Sequence, residues 1–188
     1  MGREGEAGPV RLGIIADTHG LLRPEVHEVF SAVDRILHAG DVGDASILDE
    51  LQMLAPVTAV YGNVDGWTLR HHLPRVAEVR LDDMQIVVTH GDQLGSPEPE
   101  ALKKAFPLAD VIVYGHTHRT LIRDLPDFTV VLNPGSAGPK RFDLPVSVAI
   151  METEPGIPPR ARIVPLLKPS ARVIPRTSDQ RPRTSDHR

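Results

Sequence analysis

Cysteine is absent from this sequence, and aromatic residues make up only 4% of it. The absence of cysteine excludes disulfide bonds and thiolate metal sites. No apolar run approaches the roughly 18 residues that a membrane helix needs. The first ten residues, MGREGEAGPV, also lack the apolar stretch of a secretory signal. We therefore expect a cytoplasmic protein that does not bind membranes, with a core built from aliphatic side chains.

Charge is distributed unevenly along the 188 residues, whose formal net charge is −4. Residues 168–188 carry six Lys/Arg against two Asp, whereas residues 1–167 carry 15 Lys/Arg against 23 Asp/Glu. An acidic body binds nucleic acid poorly without sequence specificity. The balance therefore disfavours a nucleic-acid partner and favours a small-molecule substrate.

Strand-like and helix-like segments alternate in the first half of the chain. Residues 10–16, 34–39 and 57–61 are short apolar runs typical of buried strands. Residues 24–33 and 45–54 have apolar side chains at helical spacing, and Pro occupies the first helical turn of the former. This β-α-β-α-β order predicts a parallel sheet covered by helices.

The second half is richer in strands. The segments RVAEVRL and MQIVVTH flank Asp82 and Asp83, which predicts a hairpin. A helix is predicted over 97–106, and the runs DVIVYG, RTLIRDL, TVVLN and PVSVAIMET predict four further strands. An α/β fold with a mixed sheet, or with two sheets packed together, accommodates both halves.

The ends of the chain differ from this pattern. Residues 1–9 are polar and rich in Gly, so we expect them to be flexible. Residues 168–188 are rich in Pro, Arg and Ser, and repeat Arg-Thr-Ser-Asp, which is typical of a disordered tail. The predicted domain therefore spans 10–167.

Polar residues with metal-binding chemistry follow five of the predicted strands. The ends of parallel strands gather at one edge of an open sheet, so these residues are expected to converge. Histidine nitrogens with carboxylate and amide oxygens suit divalent ions such as Mn, Fe, Zn, Ni or Co. Seven donors exceed the need of one catalytic ion and suit two that share a bridging ligand. The seven are Asp17, His19, Asp41, Asn63, His90, His116 and His118.

These blocks, DTHG, GDV, GNVD, THG and GHTH, resemble those of the calcineurin-like metallophosphoesterase superfamily. The segment LNPGS and the block GNVD are similar to its small bacterial and archaeal phosphodiesterase branch, which shares the Vps29-like fold. The resemblance covers roughly residues 11–165. It implies a four-layer α/β/β/α sandwich of two mixed sheets flanked by helices, and an enzyme that uses two divalent metal ions. We expect manganese, although iron, nickel, zinc and cobalt suit the same ligands.

The resemblance also implies a role for each ligand. Asp17, His19 and His118 would bind the first metal, and Asp41 would bridge both. Asn63, His90 and His116 would bind the second. Hydrolysis would proceed by attack of a metal-bridging hydroxide on phosphorus, so that Asp41, Asn63 and His90 act in catalysis through that hydroxide.

Two positions depart from the family pattern. Many members have a histidine directly after the Asn of the third block, which protonates the leaving group or binds the substrate phosphate, and this chain has Val64, which can do neither. Valine cannot protonate a leaving group, which favours a phosphodiesterase over a monoesterase. Close relatives often have a second histidine after His-Gly of the fourth block, and this chain has Asp92, which could repel an anionic substrate or bind an ion or a water.

Further residues have less specific signals. His38 is expected to hydrogen-bond near the ligands rather than to bind metal, and Asp65 could either orient a ligand or cap a turn. Arg141, with Lys140, could bind a substrate phosphate, although an ordinary charged loop explains both residues as well. Trp67, Arg70 and the pair His71-His72 are expected on a loop, where they could line a pocket or an interface.

The sequence therefore predicts a metal-dependent phosphoric ester hydrolase acting on small phosphoesters, and it is compatible with a homo-oligomer. The alternative is a non-catalytic metal-binding scaffold of the same fold. A scaffold is known in a eukaryotic retromer subunit, Vps29, which the family resembles but which lacks part of the ligand set. Here every ligand position is filled, which favours the enzyme.

Overall fold

A computed structural model describes residues 8–141 and 143–167. In the first part of the chain, strands alternate with helices. The elements of this first part are β1 Val10–Ile15, α1 Pro24–Phe30, β2 Arg35–Ala39, α2 Ser46–Gln52, β3 Val57–Val60 and α3 Trp67–His72.

Strands dominate the remainder of the domain. A 3-10 helix at Asp92–Leu94 follows the second strand of this part. The other elements are β4 Val76–Leu81, β5 Met84–Thr89, α4 Pro99–Ala105, β6 Val111–Tyr114, β7 Leu121–Asp124, β8 Val130–Asn133, β9 Ser147–Glu154 and β10 Ile157–Pro165.

The strands form two mixed five-stranded sheets, as the sequence predicts. The first has the order β10-β9-β1-β2-β3, in which β1, β2 and β3 are parallel and β9 runs antiparallel to β1. The second has the order β4-β5-β6-β8-β7, in which β5, β6 and β8 are parallel. Asp82 and Asp83 form the hairpin turn between β4 and β5, which confirms that prediction.

Three apolar layers hold the sandwich together. Between the sheets, Ile14 and Val60 pack in one cluster with Val88 and Leu132. Alternation of side chains along each strand sends the next residues to the outer faces. There α1 and α2 cover the first sheet, with Phe30 fully buried, and α4 covers the second. Burial of each large side chain stabilises the fold by about 1.5–3 kcal/mol.

Two local predictions are wrong. Residues 67–72 form a helix, not a loop, because Gly66 opens a turn and side chains four residues apart, Trp67 and His71, stack on each other. Strand β10, with sequence IPPRARIVP, was not predicted because its prolines disfavour strands. Prolines are tolerated there because β10 lies at the edge of its sheet, with a register irregularity between Ile157 and Arg160.

The predicted flexible N-terminus falls mostly outside the described residues, since residues 1–7 are not among them, and the predicted tail at 168–188 lies entirely outside. The domain boundaries therefore stay predictions. None of the helices in the described part of the chain has the length and apolarity that crossing a membrane requires.

Candidate metal centre

The ends of five strands meet at one end of the sandwich. The loops after β1, β2 and β3 come from the first sheet, and those after β5 and β6 come from the second. Hydrogen bonds cross between the sheets here: the His116 backbone N–H donates to Asp17 Oδ1 at 3.3 Å, and His90 Nδ1 donates to the Ala39 carbonyl at 2.9 Å. The predicted convergence of the polar blocks is therefore present in the fold.

One group of donors contains Asp17, His19 and His118, whose ligand atoms lie within 4.8 Å of one another. The Nε2 atoms of His19 and His118 are 3.3 Å apart, and His118 Nε2 is 3.4 Å from Asp17 Oδ1. Asp17 is fully buried, and its Oδ2 has no hydrogen-bond partner among the described residues. An unpartnered buried carboxylate oxygen in such a group fits a cation.

A second group contains Asp17, Asp41 and His90, again with ligand atoms within 4.8 Å. His90 Nε2 lies 3.3 Å from Asp41 Oδ2 and 3.1 Å from Asn63 Oδ1. His116 Nδ1 lies 3.1 Å from the same Asn63 oxygen. The structure thus brings all seven predicted ligands together, and Asp17 belongs to both groups. The assignment of Asp41 as the bridging ligand stays a prediction.

The ring orientation of His90 leaves a defined atom for a metal. Its Nδ1 carries a hydrogen because the acceptor opposite it is the Ala39 carbonyl. The atom that faces Asp41 and Asn63 is therefore Nε2. A hydrogen bond to the other ring nitrogen is the usual way in which proteins orient a metal-binding histidine.

The backbone at the candidate ligands adopts an unusual conformation. Five of the seven have a positive φ: 54° at Asp17, 47° at His19, 51° at Asp41, 67° at His116 and 56° at His118. Only two other non-glycine residues of the described chain share this feature, Asp82 and Phe128. Left-handed backbone costs on the order of 1 kcal/mol or more per non-glycine residue and concentrates at functional sites. The fold therefore keeps this geometry at a cost in stability.

Backbone hydrogen bonds fix the first two loops against each other. The N–H groups of Asp17, His19 and Gly20 donate to the carbonyls of Gly40, Asp41 and Val42, at 3.0, 2.9 and 2.8 Å. This ladder continues the parallel pairing of β1 and β2 beyond the strands. Asp17 and Asp41 are therefore held side by side.

Glycine is required where loops approach the ligands closely. A Cβ atom at Gly62 would collide with the Asp41 carboxylate, and one at Gly40 would lie 2.7 Å from His90 Nδ1. Gly62 therefore lets the third block pack directly on Asp41, and Gly40 lets the second block pack directly on His90. Their function is therefore steric.

Electrostatics favours the metal-binding forms of two ligands. Burial alone would raise the pKa of Asp41, but the hydrogen bond and charge of His90, with the Val64 N–H, hold that pKa below its ordinary value. Burial lowers the pKa of His19, and the nearby carboxylates only partly offset this. An ionised Asp41 and a neutral His19 are the states that bind cations.

The pKa of His90 is shifted in the opposite direction from those of Asp41 and His19. Burial would lower its pKa, but its hydrogen bond with Asp41 and the charges of Asp17 and Asp41 raise the pKa above its ordinary value. The negative charge of the two carboxylates therefore favours a proton on Nε2 when no metal is bound. A cation bound to the same atoms would replace that proton.

His38 lies beneath the site on the helix-covered face of the first sheet, the face that Ile36 also occupies. Its Nε2 is 3.0 Å from Thr18 Oγ1, and Thr18 Oγ1 donates to the Val42 carbonyl at 2.9 Å. Burial lowers the pKa of His38 to about 3, so the ring is neutral. The side chain contacts the residue between two ligands and belongs to neither group of metal donors.

The structure shows what Val64 and Asp92, the two positions that depart from the family pattern, contact. The Val64 side chain is 57% exposed, and its backbone N–H donates to Asp41 Oδ1 at 3.0 Å. Asp92 forms an ion pair of 2.8 Å with Arg75. Because this pair compensates the charge of Asp92, that carboxylate repels an anion less than the sequence suggests.

Asp65 is buried and accepts hydrogen bonds from the N–H groups of Gly43 and Gly62, both at 2.8 Å. These two hydrogen bonds connect the loop of the second block to the loop of the third. Asp65 therefore does more than cap its own turn. Arg141 lies at the opposite rim, with Nη2 3.4 Å from His19 Nε2. Of the lesser candidates, Arg141 is thus the one whose charge reaches a ligand.

Some supporting residues were not predicted in this role. Ser136 Oγ donates to the Asp17 carbonyl at 2.9 Å, and Asn133 Nδ2 donates to the Gly115 carbonyl at 2.8 Å. The segment 133–136 therefore packs under the site. Arg70 donates to the carbonyls of Asn63 and Asp65 from α3. The signal for this role is an arginine on a helix that begins shortly after the third block, whereas the sequence predicts a loop there.

Comparison with known proteins finds relatives over most of the chain. A family model described as the Calcineurin-like phosphoesterase superfamily domain matches residues 10–156. The chain is 41% identical over 138 residues to "Probable metallophosphoesterase MJ0623" of Methanocaldococcus jannaschii, with 69% of each chain covered. It is 32% identical over 162 residues to "Phosphodiesterase MJ0936" of the same organism, which covers 77% of this chain and 94% of that relative.

The fold also has solved counterparts. The structure of Vacuolar Protein Sorting 29 from Cryptosporidium parvum matches with a TM-score of 0.71 at 19% identity, over 84% of this chain and 98% of that one. At this identity the match shows the shared fold of two sheets flanked by helices.

Proposed function

Because this chain belongs to the calcineurin-like phosphoesterase superfamily, we propose that it is a phosphodiesterase that uses two divalent metal ions. The observation that carries the proposal is the convergence of seven nitrogen and oxygen donors from five strand ends. Their neighbouring atoms lie 3.1–3.4 Å apart. So close an array of carboxylates and imidazoles at a protein surface fits bound cations better than it fits a structural hydrogen-bond network.

The donor set supports the ligand roles proposed from the sequence. Asp17, His19 and His118 would hold one ion, Asn63, His90 and His116 the other, and Asp41 would contact both. The ions would act as Lewis acids toward the phosphoryl group and would activate the attacking water. Manganese is the metal we propose, because Mn²⁺ accepts both imidazole and carboxylate ligands.

The residues around the donors support a diester rather than a monoester. Val64 occupies the general-acid position and presents an exposed apolar side chain. Asp92 is paired with Arg75 and is not free to transfer a proton. A substrate whose leaving group departs without protonation by a side chain suits this arrangement. The similarity to a relative named a phosphodiesterase supports the same preference.

Arg141 supplies a positive charge at the rim beside His19. A guanidinium there can donate to the non-bridging oxygens of a phosphodiester held at the centre. We propose that Arg141 orients the substrate and does not transfer protons. Asp65 and His38 would act indirectly, by holding the loops that carry the ligands.

The first test is metal content together with turnover of bis-p-nitrophenyl phosphate and p-nitrophenyl phosphate in Mn²⁺. We expect about two ions per chain and a preference for the diester. Asp41→Asn should lose activity at least a hundredfold and bind less metal. Asp82→Asn is a matched control, because Asp82 has nearly the same φ, 50°, but lies in the β4–β5 hairpin. Equal turnover by wild type and Asp41→Asn would disprove the site assignment.

A non-catalytic scaffold of the same fold is the alternative function. The full set of seven donors favours the enzyme. A metal-loaded protein that is inert on a broad panel of phosphoesters would favour the scaffold. The proposed small-molecule phosphoester substrate, cytoplasmic location and homo-oligomer stay predictions.

A further inference from the structure

Trp67 is the only tryptophan of the chain, and its side chain is 77% exposed. Its indole stacks on the ring of His71, with centroids 5.0 Å apart and planes inclined by 12°. One face of the indole contacts the His71 ring within the helix, and most of the remaining indole surface is exposed to solvent. Large exposed aromatic side chains of this kind are enriched at binding sites.

Helix α3 is fixed to the loop that carries Asn63. The Arg70 guanidinium donates to the Asp65 carbonyl at 2.7 Å and to the Asn63 carbonyl. Residues three apart on a helix share a face, so Trp67 and Arg70 lie on the same side of α3. The exposed indole is therefore held next to the loop of the candidate ligand.

Chain length limits the distance between the indole and the metal centre. Trp67 lies four positions after Asn63 in the sequence. Their Cα atoms therefore lie within about 14 Å of each other. The exposed Val64 side chain comes directly after Asn63. We define the α3 face as Val64, Trp67 and His71.

The charge around the α3 face suits an anion that carries a ring. The last turn of α3 contains Arg70, His71 and His72, and no acidic residue lies in its first turn. The guanidinium of Arg70 also lies over the Tyr61 ring, 5.5 Å from its centroid. The α3 face thus exposes apolar surface at Val64 and Trp67 and has the guanidinium of Arg70 on the same helix.

We propose that the α3 face binds a planar aromatic group attached to the scissile phosphodiester, with Trp67 as the stacking partner. This inference rests on the proposed phosphodiesterase function and adds a substrate class to it. Stacking of a base on one aromatic side chain contributes enough to change binding by about tenfold. A substrate with only alkyl groups would lack this contribution.

Because Trp67 is the sole tryptophan, its fluorescence reports directly on occupancy of the α3 face. In the Mn²⁺-loaded protein, AMP and phenyl phosphate should quench the emission saturably. Ribose 5-phosphate and inorganic phosphate should not. Quenching by AMP alone would narrow the class to nucleobases, and equal quenching by both would extend it to any aryl ring. Absence of quenching by either ring compound overturns the proposal.

Kinetics provides a second readout. Trp67→Ala should raise KM for bis-p-nitrophenyl phosphate about tenfold with little change in kcat, because stacking acts equally in ground and transition states. Phe128→Ala is the control, since Phe128 is 87% exposed but lines a cleft with Leu81 and Met84, at the other end of β5 from the metal centre. This control should match wild type.

The experiments distinguish failure of the proposed stacking site from failure of the proposed phosphodiesterase function. Turnover without quenching, and with KM unchanged in Trp67→Ala, would leave the phosphodiesterase standing and remove the α3 face from the substrate site. Quenching without turnover would remove the phosphodiesterase function and retain a binding site. Concentration-dependent dimerisation that disappears in Trp67→Ala, with no quenching, would show that the indole contacts a second copy of the chain, and would also overturn the proposal.

Discussion

His38 donates a hydrogen bond from Nε2 to Thr18 Oγ1, 3.0 Å away, although neither residue belongs to the groups that can hold a metal. The direction follows from Thr18, whose single hydroxyl proton is given to the Val42 carbonyl. Thr18 lies between Asp17 and His19, and Val42 follows Asp41. The Thr18 hydroxyl therefore joins the loops that carry three candidate ligands, and the buried His38 imidazole holds that hydroxyl in place.

This contact predicts that His38 determines metal affinity without binding metal. His38→Leu removes the donor, and we expect Mn²⁺ affinity to fall about tenfold or more, as with other residues that orient metal ligands. His38→Gln retains an N–H that can reach Thr18 and should recover most of the loss. Isothermal titration with Mn²⁺ measures both. Equal affinity in the Leu variant and wild type would contradict the role.

A second prediction concerns stability and pH in the metal-free protein. His38 has a pKa of about 3 in the folded protein, against an ordinary value of 6.5. Between these values the unfolded chain binds more protons, so stability is complete above pH 6.5 and falls as the pH is lowered toward 3. At pH 5 the loss from this residue is about 2 kcal/mol.

The measurement is urea unfolding in the presence of a chelator at pH 7 and pH 5. His38→Gln cannot titrate, so its stability should fall by about 2 kcal/mol less than that of wild type over this interval. The other titrating groups are common to both proteins and cancel in the comparison. An identical decrease in both would show that His38 is not the group responsible.

A third prediction uses the exposed position of Val64. Val64→His places an acid next to Asn63, where many members of the family have one. General acid catalysis accelerates departure of poor leaving groups most. We expect kcat/KM for a phenyl phosphodiester to rise about tenfold or more, with little change for a p-nitrophenyl ester. Val64→Asn, which is polar but does not titrate, should give no such selectivity.

A fourth prediction concerns Arg141. Its guanidinium lies 3.4 Å from His19 Nε2 at the open rim of the centre. Arg141→Ala should raise KM for bis-p-nitrophenyl phosphate, and Ki for inorganic phosphate, about tenfold through the loss of a charge-assisted hydrogen bond. Arg141→Lys should recover part of the effect. Lys140→Ala is the neighbouring control, and an effect as large as that of Arg141→Ala would indicate a general contribution of loop charge.

Much of the fold could be predicted because its signals are local. The apolar runs of the strands and the helical spacing of Val26 and Phe30 are properties of short segments. Strand β10 could not be predicted in this way. Its prolines oppose strand formation, and it exists because β9 pairs with it at the sheet edge, from Ser147 to Glu154. That pairing is a property of the whole fold.

In the candidate site, too, some features follow from local sequence and others depend on the whole fold. The seven donors could be chosen from their residue types and their positions after strands. The membership of Asp17 in both donor groups could not, because it depends on how the loops of two sheets meet. The pairing of Asp92 with Arg75 joins residues 17 positions apart and corrects the expectation of an uncompensated carboxylate. The left-handed backbone at five donors has only a weak signal in residue identity, the enrichment of Asp and His in that conformation.

The hydrogen bonds that cross between the sheets at the centre have a consequence for internal motion. The bonds from His116 to Asp17, from His90 to Ala39 and from Ser136 to Asp17 all lie at the same end of the sandwich. These three hydrogen bonds form a clasp between the two sheets at that end, in addition to the apolar packing between them. Amide hydrogen exchange should accordingly be slowest near the clasp, and removal of metal should accelerate exchange in both sheets together.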